Sequence, residues 1–245
     1  MERGFTLNSQ HSSVLGVIMA TKGVPILTAS NDVYLQAPGR DGSYLIPREL
    51  ADGAIVIECG IKTANAIALM TAKRQIAAWV FSRQKVQLIF DDEPDKFYMV
   101  KYDGEIGLSG MTVPGMGQFE LVFRCEPYAY SITPKTQNFI TDAISLTNAG
   151  TAPTYPKFTA TFTATATEYK LWFGNYFIRI VRNFIIGDIL VIDNAISKVT
   201  VNGLNSMVNL DLNSRFSGIG SGVNTLNVTP TAVANTIITW KERWL

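Results

Sequence analysis

A mainly β chain is what this sequence predicts: an N-terminal β domain with one α-helix, followed by a second unit built as a β-sandwich. Three observations carry this two-domain expectation. Phe119, Leu121, Phe123 and Cys125 alternate with Glu120, Val122 and Arg124, the period of two that a half-buried strand requires. A single stretch, between Ala64 and Ser82, places apolar residues at three- and four-residue spacing. After Tyr130 the texture changes, from a region with a helix and an acidic turn to Thr/Asn-rich hairpins. The expected domains are therefore residues 1–130 and 131–245.

In order, Gly4-Phe5-Thr6-Leu7-Asn8 and Val14–Met19 read as short strands around a polar loop that holds His11. Val24–Leu35 reads as a hairpin, with Ala29-Ser30-Asn31-Asp32 as its turn. Pro38-Gly39-Arg40-Asp41-Gly42 is a loop. Ile55, Ile57, Cys59 and Ile61 alternate with Val56, Glu58, Gly60 and Lys62, which is a strand with one face in a core. Thr63 or Asn65 can cap the helix, and Leu69, Ala72, Ile76, Trp79 and Val80 form its buried stripe. Val86–Phe90 and Phe97–Tyr102 are strands joined by an acidic turn. The alternating strand from Gln118 closes the domain and is expected to stop at Glu126-Pro127, since proline offers no N–H to a ladder.

Beyond Tyr130, Asn148-Ala149-Gly150-Thr151 marks a turn, and Phe158, Ala160, Phe162 and Ala164 alternate with threonines. Tyr169–Phe173 and Tyr176–Ile180 flank Gly174-Asn175 as a hairpin. Asp193-Asn194 and Asn202-Gly203 punctuate further strands, and Ile237–Trp240 is the expected last one. Strands at this spacing with no helical stripe between them indicate a sandwich.

The 245 residues are 47% hydrophobic and 17% charged, which supplies ample core. Net charge is +1, with 12 basic and 14 acidic residues up to Tyr130 and 9 and 6 after it. No basic stripe points to nucleic acid. No run reaches the ~18 apolar residues of a membrane helix, since Gly187-Asp188 breaks Phe184–Ile192. Met1-Glu2-Arg3-Gly4 shows no apolar signal core, so synthesis in the cytoplasm is expected, with no membrane partner. Cys59 and Cys125, the only two cysteines, sit on apolar strand faces; buried free thiols are the simpler account, and a bridge between them stays open.

Catalytic chemistry has few materials here. The single histidine, His11, would have to serve any Ser–His–Asp or Cys–His arrangement, and a solvated loop histidine is the simpler account. Asp91, Asp92, Glu93 and Asp95 are the densest carboxylates. Pro94 sits where a calcium loop should be pliable and the turn glycine is missing, so a solvated acidic turn is expected and no metal or cofactor. Gly218, Gly220 and Gly222 lack the strand–loop–helix context of a phosphate loop and read as a flexible hairpin tip. Trp172, Phe173, Tyr176 and Trp240 are either core or a sugar-stacking surface. No catalytic residue is assigned, and the chain is not expected to be an enzyme.

Five landmarks in order resemble the distal tail proteins of siphophages. They are the opening strand Gly4-Phe5-Thr6-Leu7-Asn8, the Pro38-Gly39-Arg40-Asp41-Gly42 loop, the helix ending near Trp79, the turn Asp91-Asp92-Glu93-Pro94-Asp95-Lys96-Phe97-Tyr98, and Cys125-Glu126-Pro127-Tyr128-Ala129-Tyr130. Thr147-Asn148-Ala149-Gly150-Thr151 with Pro153 and Pro156 resembles the start of that family's second domain. The resemblance implies a mainly β fold, an N-terminal β-sandwich with one α-helix followed by a C-terminal galectin-like β-sandwich, and a structural hub in the virion tail tip. It implies a homo-oligomer, a hexameric ring, whose partners are the tail tube protein, the tail-associated tip protein and, in some phages, a receptor-binding protein. It also implies an extended hairpin, the belt, embracing the neighbouring subunit, expected at Val24–Leu35. The main alternative is a carbohydrate-binding module recognising host-wall polysaccharide. Such a module would have no need of residues 1–130. A hydrolase acting through the acidic turn is a third possibility.

Overall fold

The structure, a computed structural model, describes residues 4–110, 115–140 and 143–245. The start Met1-Glu2-Arg3 lies outside them. The chain divides into two compact units, Met1–Ala129 with Leu245, and Tyr130–Trp244.

The first unit contains β1 (Phe5–Leu7), β2 (Gln10–His11), β3 (Val17–Gly23), β4 (Val33–Gln36), β5 (Ser43–Ile46) and β6 (Gly53–Lys62). The helix α1 (Ala66–Val80) follows, then β7 (Val86–Phe90), β8 (Lys96–Tyr102), β9 (Ser109–Gly110) and β10 (Met116–Ser131), whose last two residues fall in the second unit. One hydrogen-bonded path runs β2-β1-β7-β8-β10-β6-β3, with β9 also on β10, while β4 and β5 pair only with each other. The longest pairing is β10 on β6, in register from Met116↔Lys62 to Cys125↔Gly53. It sets Phe119, Leu121 and Phe123 directly opposite Cys59, Ile57 and Ile55, so both strands turn their apolar residues to one side. Phe5, Leu7, Leu88, Phe90 and Val100 join the same core.

The helix closes that core with Leu69, Ala72, Ile76 and Val80, as its stripe predicts. Asn65 is the cap, its side-chain oxygen accepting from Ala68 N–H at 2.8 Å. Trp79 is only half-buried. It stacks on Phe5 at 5.4 Å and donates its indole N–H to the Leu7 carbonyl at 3.3 Å, tying helix to first strand.

Several expectations are corrected here. Val24–Leu35 is not a hairpin. The hairpin is β4–β5, and Pro38-Gly39-Arg40-Asp41-Gly42 is its turn, with Gly39 and Gly42 at φ +79° and +81°. Ser30 and Asp32 form its root instead. Ser30 bridges Leu50, and the Asp32 carboxylate accepts from Ser30 Oγ (2.6 Å) and Arg48 N–H (2.8 Å). Those two bonds, the hydroxyl first, hold the Asp32 carboxyl below its usual range. Val14 and Leu15 belong to a 3-10 turn, Ser12–Leu15, that ends at Gly16 (φ +67°), so the strand starts only at Val17. Nor does β10 stop at Pro127. Its pairing with β6 already ends at Cys125, so the missing proline N–H costs no bond on that side.

The second unit contains β11 (Lys135–Phe139), β12 (Ala143–Asn148), β13 (Lys157–Phe162), β14 (Ala166–Phe173), β15 (Tyr176–Phe184) and β16 (Ile189–Asp193). β17 (Lys198–Val201), β18 (Leu204–Asn205), β19 (Gly222–Thr229), β20 (Ala234–Trp240) and β21 (Arg243–Trp244) complete it. Two sheets, β11-β20-β13-β16-β17-β18 and β12-β19-β14-β15, contribute to one core. Phe162 stacks on Phe184 at 4.1 Å and meets Tyr169 edge-on at 5.5 Å. The buried Tyr169 hydroxyl bonds the Thr236 hydroxyl, joining β14 of one sheet to β20 of the other. The two-residue turns are as expected. Gly174-Asn175 joins Phe173 to its partner Tyr176, and Asn202-Gly203 (φ +50° and +81°) joins Val201 to Leu204.

The Gly218–Gly222 stretch is a correction in the other direction. It is no flexible tip, because Ile219 is buried and exchanges two backbone bonds with Thr154, at 2.8 and 3.0 Å. Buried Asn148 holds the same corner. Its amide N–H groups donate to the Ala152 and Gly220 carbonyls at 3.1 Å, and its oxygen accepts from Gly150 N–H. A Cβ on Gly150 would collide with the Arg243 backbone. Gly150→Ala is therefore expected to destabilise the second unit by about 1–3 kcal/mol; an unchanged denaturation midpoint in urea would count against this close packing.

Candidate functional site

The acidic turn after β7 is fully engaged within its own unit. The Asp91 carboxylate accepts from Gly4 N–H (2.9 Å) and faces His11 Nε2 (3.1 Å). Asp92 meets Lys22 Nζ at 2.6 Å. Glu93 takes Lys96 Nζ (2.9 Å) and the Tyr98 hydroxyl (3.2 Å), and Asp95 lies 3.4 Å from the same ammonium. The turn is solvent-exposed, as expected, and its carboxylates also clasp neighbouring elements. Bonding to Glu93, aided by the carboxylates of Glu93 and Asp95, raises the Lys96 ammonium above its usual value, although burial opposes this. Among the described residues, no three His, Cys, Asp or Glu side chains gather as a metal would require.

His11 lies in β2 and not in a loop. Its Nδ1 accepts from Ser13 N–H at 3.2 Å and lies 2.7 Å from Ser13 Oγ, so Nε2 carries the proton that Asp91 receives. Ser13, His11 and Asp91 thus stand in a row, with the ring as the cap of the 3-10 turn. What the row accomplishes is to fasten β1, β2 and the turn after β7 to one another.

The aromatic set predicted as core or sugar surface is divided. Phe173 and Trp240 are core. Trp172 lies half-buried on the sheet's outer side beside Phe177, with the Lys170 ammonium 3.8 and 3.9 Å from the two ring centres. Tyr176 lies outside, under the Arg215 guanidinium at 4.4 Å. The four do not form one stacking surface.

The conspicuous feature is the β4–β5 hairpin. Tyr34, Leu35, Tyr44, Leu45 and Ile46 are 42–66% exposed, and Ile26 and Leu27 beside its root are 95% and 63% exposed. Register puts Val33, Leu35, Tyr44 and Ile46 on one face and Tyr34 with Leu45 on the other, so both faces are apolar. An isolated two-stranded ribbon is marginal in water, and apolar patches of this kind mark interaction surfaces. From its root at Ser30↔Leu50 to the tip at Gly39 the arm extends about 30 Å at ~3.3 Å per residue. The signal was present in the sequence as Val33-Tyr34-Leu35 and Tyr44-Leu45-Ile46, two short unalternating apolar runs around a proline-glycine turn.

Cys59 and Cys125 are free and buried. Cys59 faces Phe119, six residues before Cys125 on β10, so the two are ~20 Å apart along the strands and out of disulfide reach. Burial pushes the Cys59 thiol from 9.0 up to about 12 and raises Cys125 as well. Both thiols are therefore expected to resist a maleimide at pH 8 in the native protein and to react in urea. Because folding holds on to protons that the unfolded thiols release, the thiols' contribution to stability is complete below about pH 9 and declines as pH rises toward 12. Rapid native labelling of either cysteine would contradict the packing described.

Comparison with known proteins places both units. Residues 6–125 match the phage tail protein RIFT-related domain, and residues 149–244 match the siphovirus-type tail component, C-terminal domain. The distal tail protein of Bacillus phage SPP1 is 30% identical over 188 residues, which span 73% of this chain and 70% of that protein. The crystal structure of SPP1 Dit (gp 19.1), described as a paradigm of hub adsorption apparatus in Gram-positive infecting phages, superposes over all of both chains. Its TM-score is 0.86, and the identity over that whole-length alignment is 18%. A chain of the phage P2 baseplate in its activated conformation matches at TM-score 0.50 and 10% identity, over 99% of this chain and 98% of that one. These superpositions show a shared fold.

Proposed function

We propose, from the premise that this chain belongs to the siphophage distal tail protein family, that it is a structural hub of the phage tail tip. The observation that carries this is the pairing of the two tail-component domains in order along one chain, together with a distal tail relative covered over 70% of its length. The chain works in the virion as an assembly part and without catalysis, after synthesis in the host cytoplasm. Residues 1–130 form a hexameric ring, and residues 131–245 are the galectin-like domain that faces outward. The tail tube protein binds one side of the ring and the tail-associated tip protein the other, with a receptor-binding protein as a further partner. The belt is β4–β5, Val33–Ile46, and not Val24–Leu35. Its exposed faces and its length of about 30 Å suit an arm that folds onto a neighbouring subunit.

The test is electron microscopy of the purified protein beside its mass in solution. Sixfold rings at six times the 26.9 kDa chain mass are expected. A persistent monomer that never stacks with tail tube protein overturns the hub. Replacing residues 33–46 with a short Gly-Ser turn is expected to leave a cooperatively folded monomer and abolish the rings, because these residues contribute no side chain to the buried core.

A further inference from the structure

We propose that the outer face of the four-stranded sheet in the second unit carries a binding site for an uncharged sugar residue, centred on Trp172. Side chains alternate along β14. Tyr169, Leu171 and Phe173 enter the core, while Glu168, Lys170 and Trp172 point outward. Register sets Trp172 between Phe177 of β15 and Asn227 of β19, and Lys170 between Arg179 and Thr229. Two aromatic rings therefore lie on the solvent side of a sheet whose other face already fills the core. On the β15 side the indole is braced by Phe177 at 5.2 Å, with the Lys170 ammonium 3.8 and 3.9 Å from the two ring centres. On the β19 side it opens into a shallow groove of about 430 Å³, lined by Trp172, Asn227, Val228, Thr229 and Thr231.

The groove is set apart by polar groups that have no partner. The indole N–H of Trp172, the amide of Asn227 and the hydroxyls of Thr229 and Thr231 make no hydrogen bond among the described residues. Comparable amides elsewhere in the unit are occupied: Asn148, Asn194, Asn202 and Asn224 each donate to a carbonyl or a carboxylate. On the same face, Arg179 is taken up by Glu168 at 2.8 Å and Asp211 at 3.2 Å. Donors and acceptors side by side, next to an aromatic body, match the chemistry of a pyranose. Its hydroxyls both donate and accept, and its C–H face is apolar enough to lie on an indole. No carboxylate, ammonium or guanidinium lines the groove. The ligand class is therefore an uncharged sugar rather than a phosphate- or carboxylate-bearing glycan. The site lies wholly within the second unit and does not depend on the hexameric ring or on the arm.

The test is a panel of immobilised oligosaccharides of glucose, galactose and N-acetylhexosamines, beside phosphate- and carboxylate-bearing ones. Wild-type protein is expected to bind at least one neutral member, and the free methyl glycoside of that sugar is expected to reverse the binding. Trp172→Ala is expected to weaken it at least tenfold. Asn227→Ala, at an exposed position, is expected to weaken it about three- to tenfold with an unchanged melting temperature. Trp172→Phe, which keeps a stacking ring and loses the N–H, is expected to fall between wild type and Trp172→Ala. Tyr176→Ala, outside the groove, is expected to change nothing. Should Trp172→Ala fail to fold, Asn227→Ala and Thr231→Ala decide. Binding to no neutral sugar, binding to acidic glycans alone, or binding that the groove variants leave intact overturns the site, and the hub reading stands in each case.

Discussion

The first unit depends on the register of β10 against β6. A slip of one residue would turn Phe119, Leu121 and Phe123 to the outside and bring Glu120 and Arg124 into the core. Each large apolar side chain is worth about 1.5–3 kcal/mol when buried, so a few reversals would consume the ~5–15 kcal/mol by which a domain is stable. Everything else in the unit is placed relative to this pair. The helix leaves the far end of β6 at Asn65 and covers the apolar side that the pair presents. β3 extends the sheet beside β6, and the arm leaves from β3 and returns into β6 at Gly53.

That connection explains how an exposed arm coexists with a well-packed unit. Its root is held by backbone and side-chain bonds at Ser30, Asp32, Arg48 and Leu50, none of which depends on burying the arm's own apolar residues. The core sequence is thus free to specify the fold, while β4 and β5 are free to specify a partner. The Ser13–His11–Asp91 row does similar structural work at the other end, closing the N-terminal strands with the only histidine in the chain.

Much of this was legible in the sequence because the period of a buried element is written locally. β6, α1, β10 and the turns at Gly174-Asn175 and Asn202-Gly203 follow from alternation, helical spacing and turn chemistry. What could not be read depended on partners distant in sequence. Nothing near Pro127 announces that β10 has finished pairing with β6 by Cys125, and nothing near Gly218 announces Thr154 across the unit. The exposed acidic turn was legible, but not its pairing, because its partners Gly4, His11 and Lys22 lie about seventy or more residues away. The arm was misplaced for a different reason. Alternation detects strands with one wet face, and β4 and β5 have two apolar ones.

Two apolar faces on a short ribbon also constrain how assembly and folding are coupled. Alone, the arm offers about four bonded pairs of residues and no core, which is too little for independent stability. The ordering cost of its residues, ~1–2 kcal/mol each for the backbone, must be met when a partner covers it. An arm preformed at its root and stiffened by the Arg40 guanidinium over the Tyr44 ring at 4.0 Å meets part of that cost before association. The division of labour is therefore between a sheet whose apolar residues fill its own core and an arm whose apolar residues stay exposed.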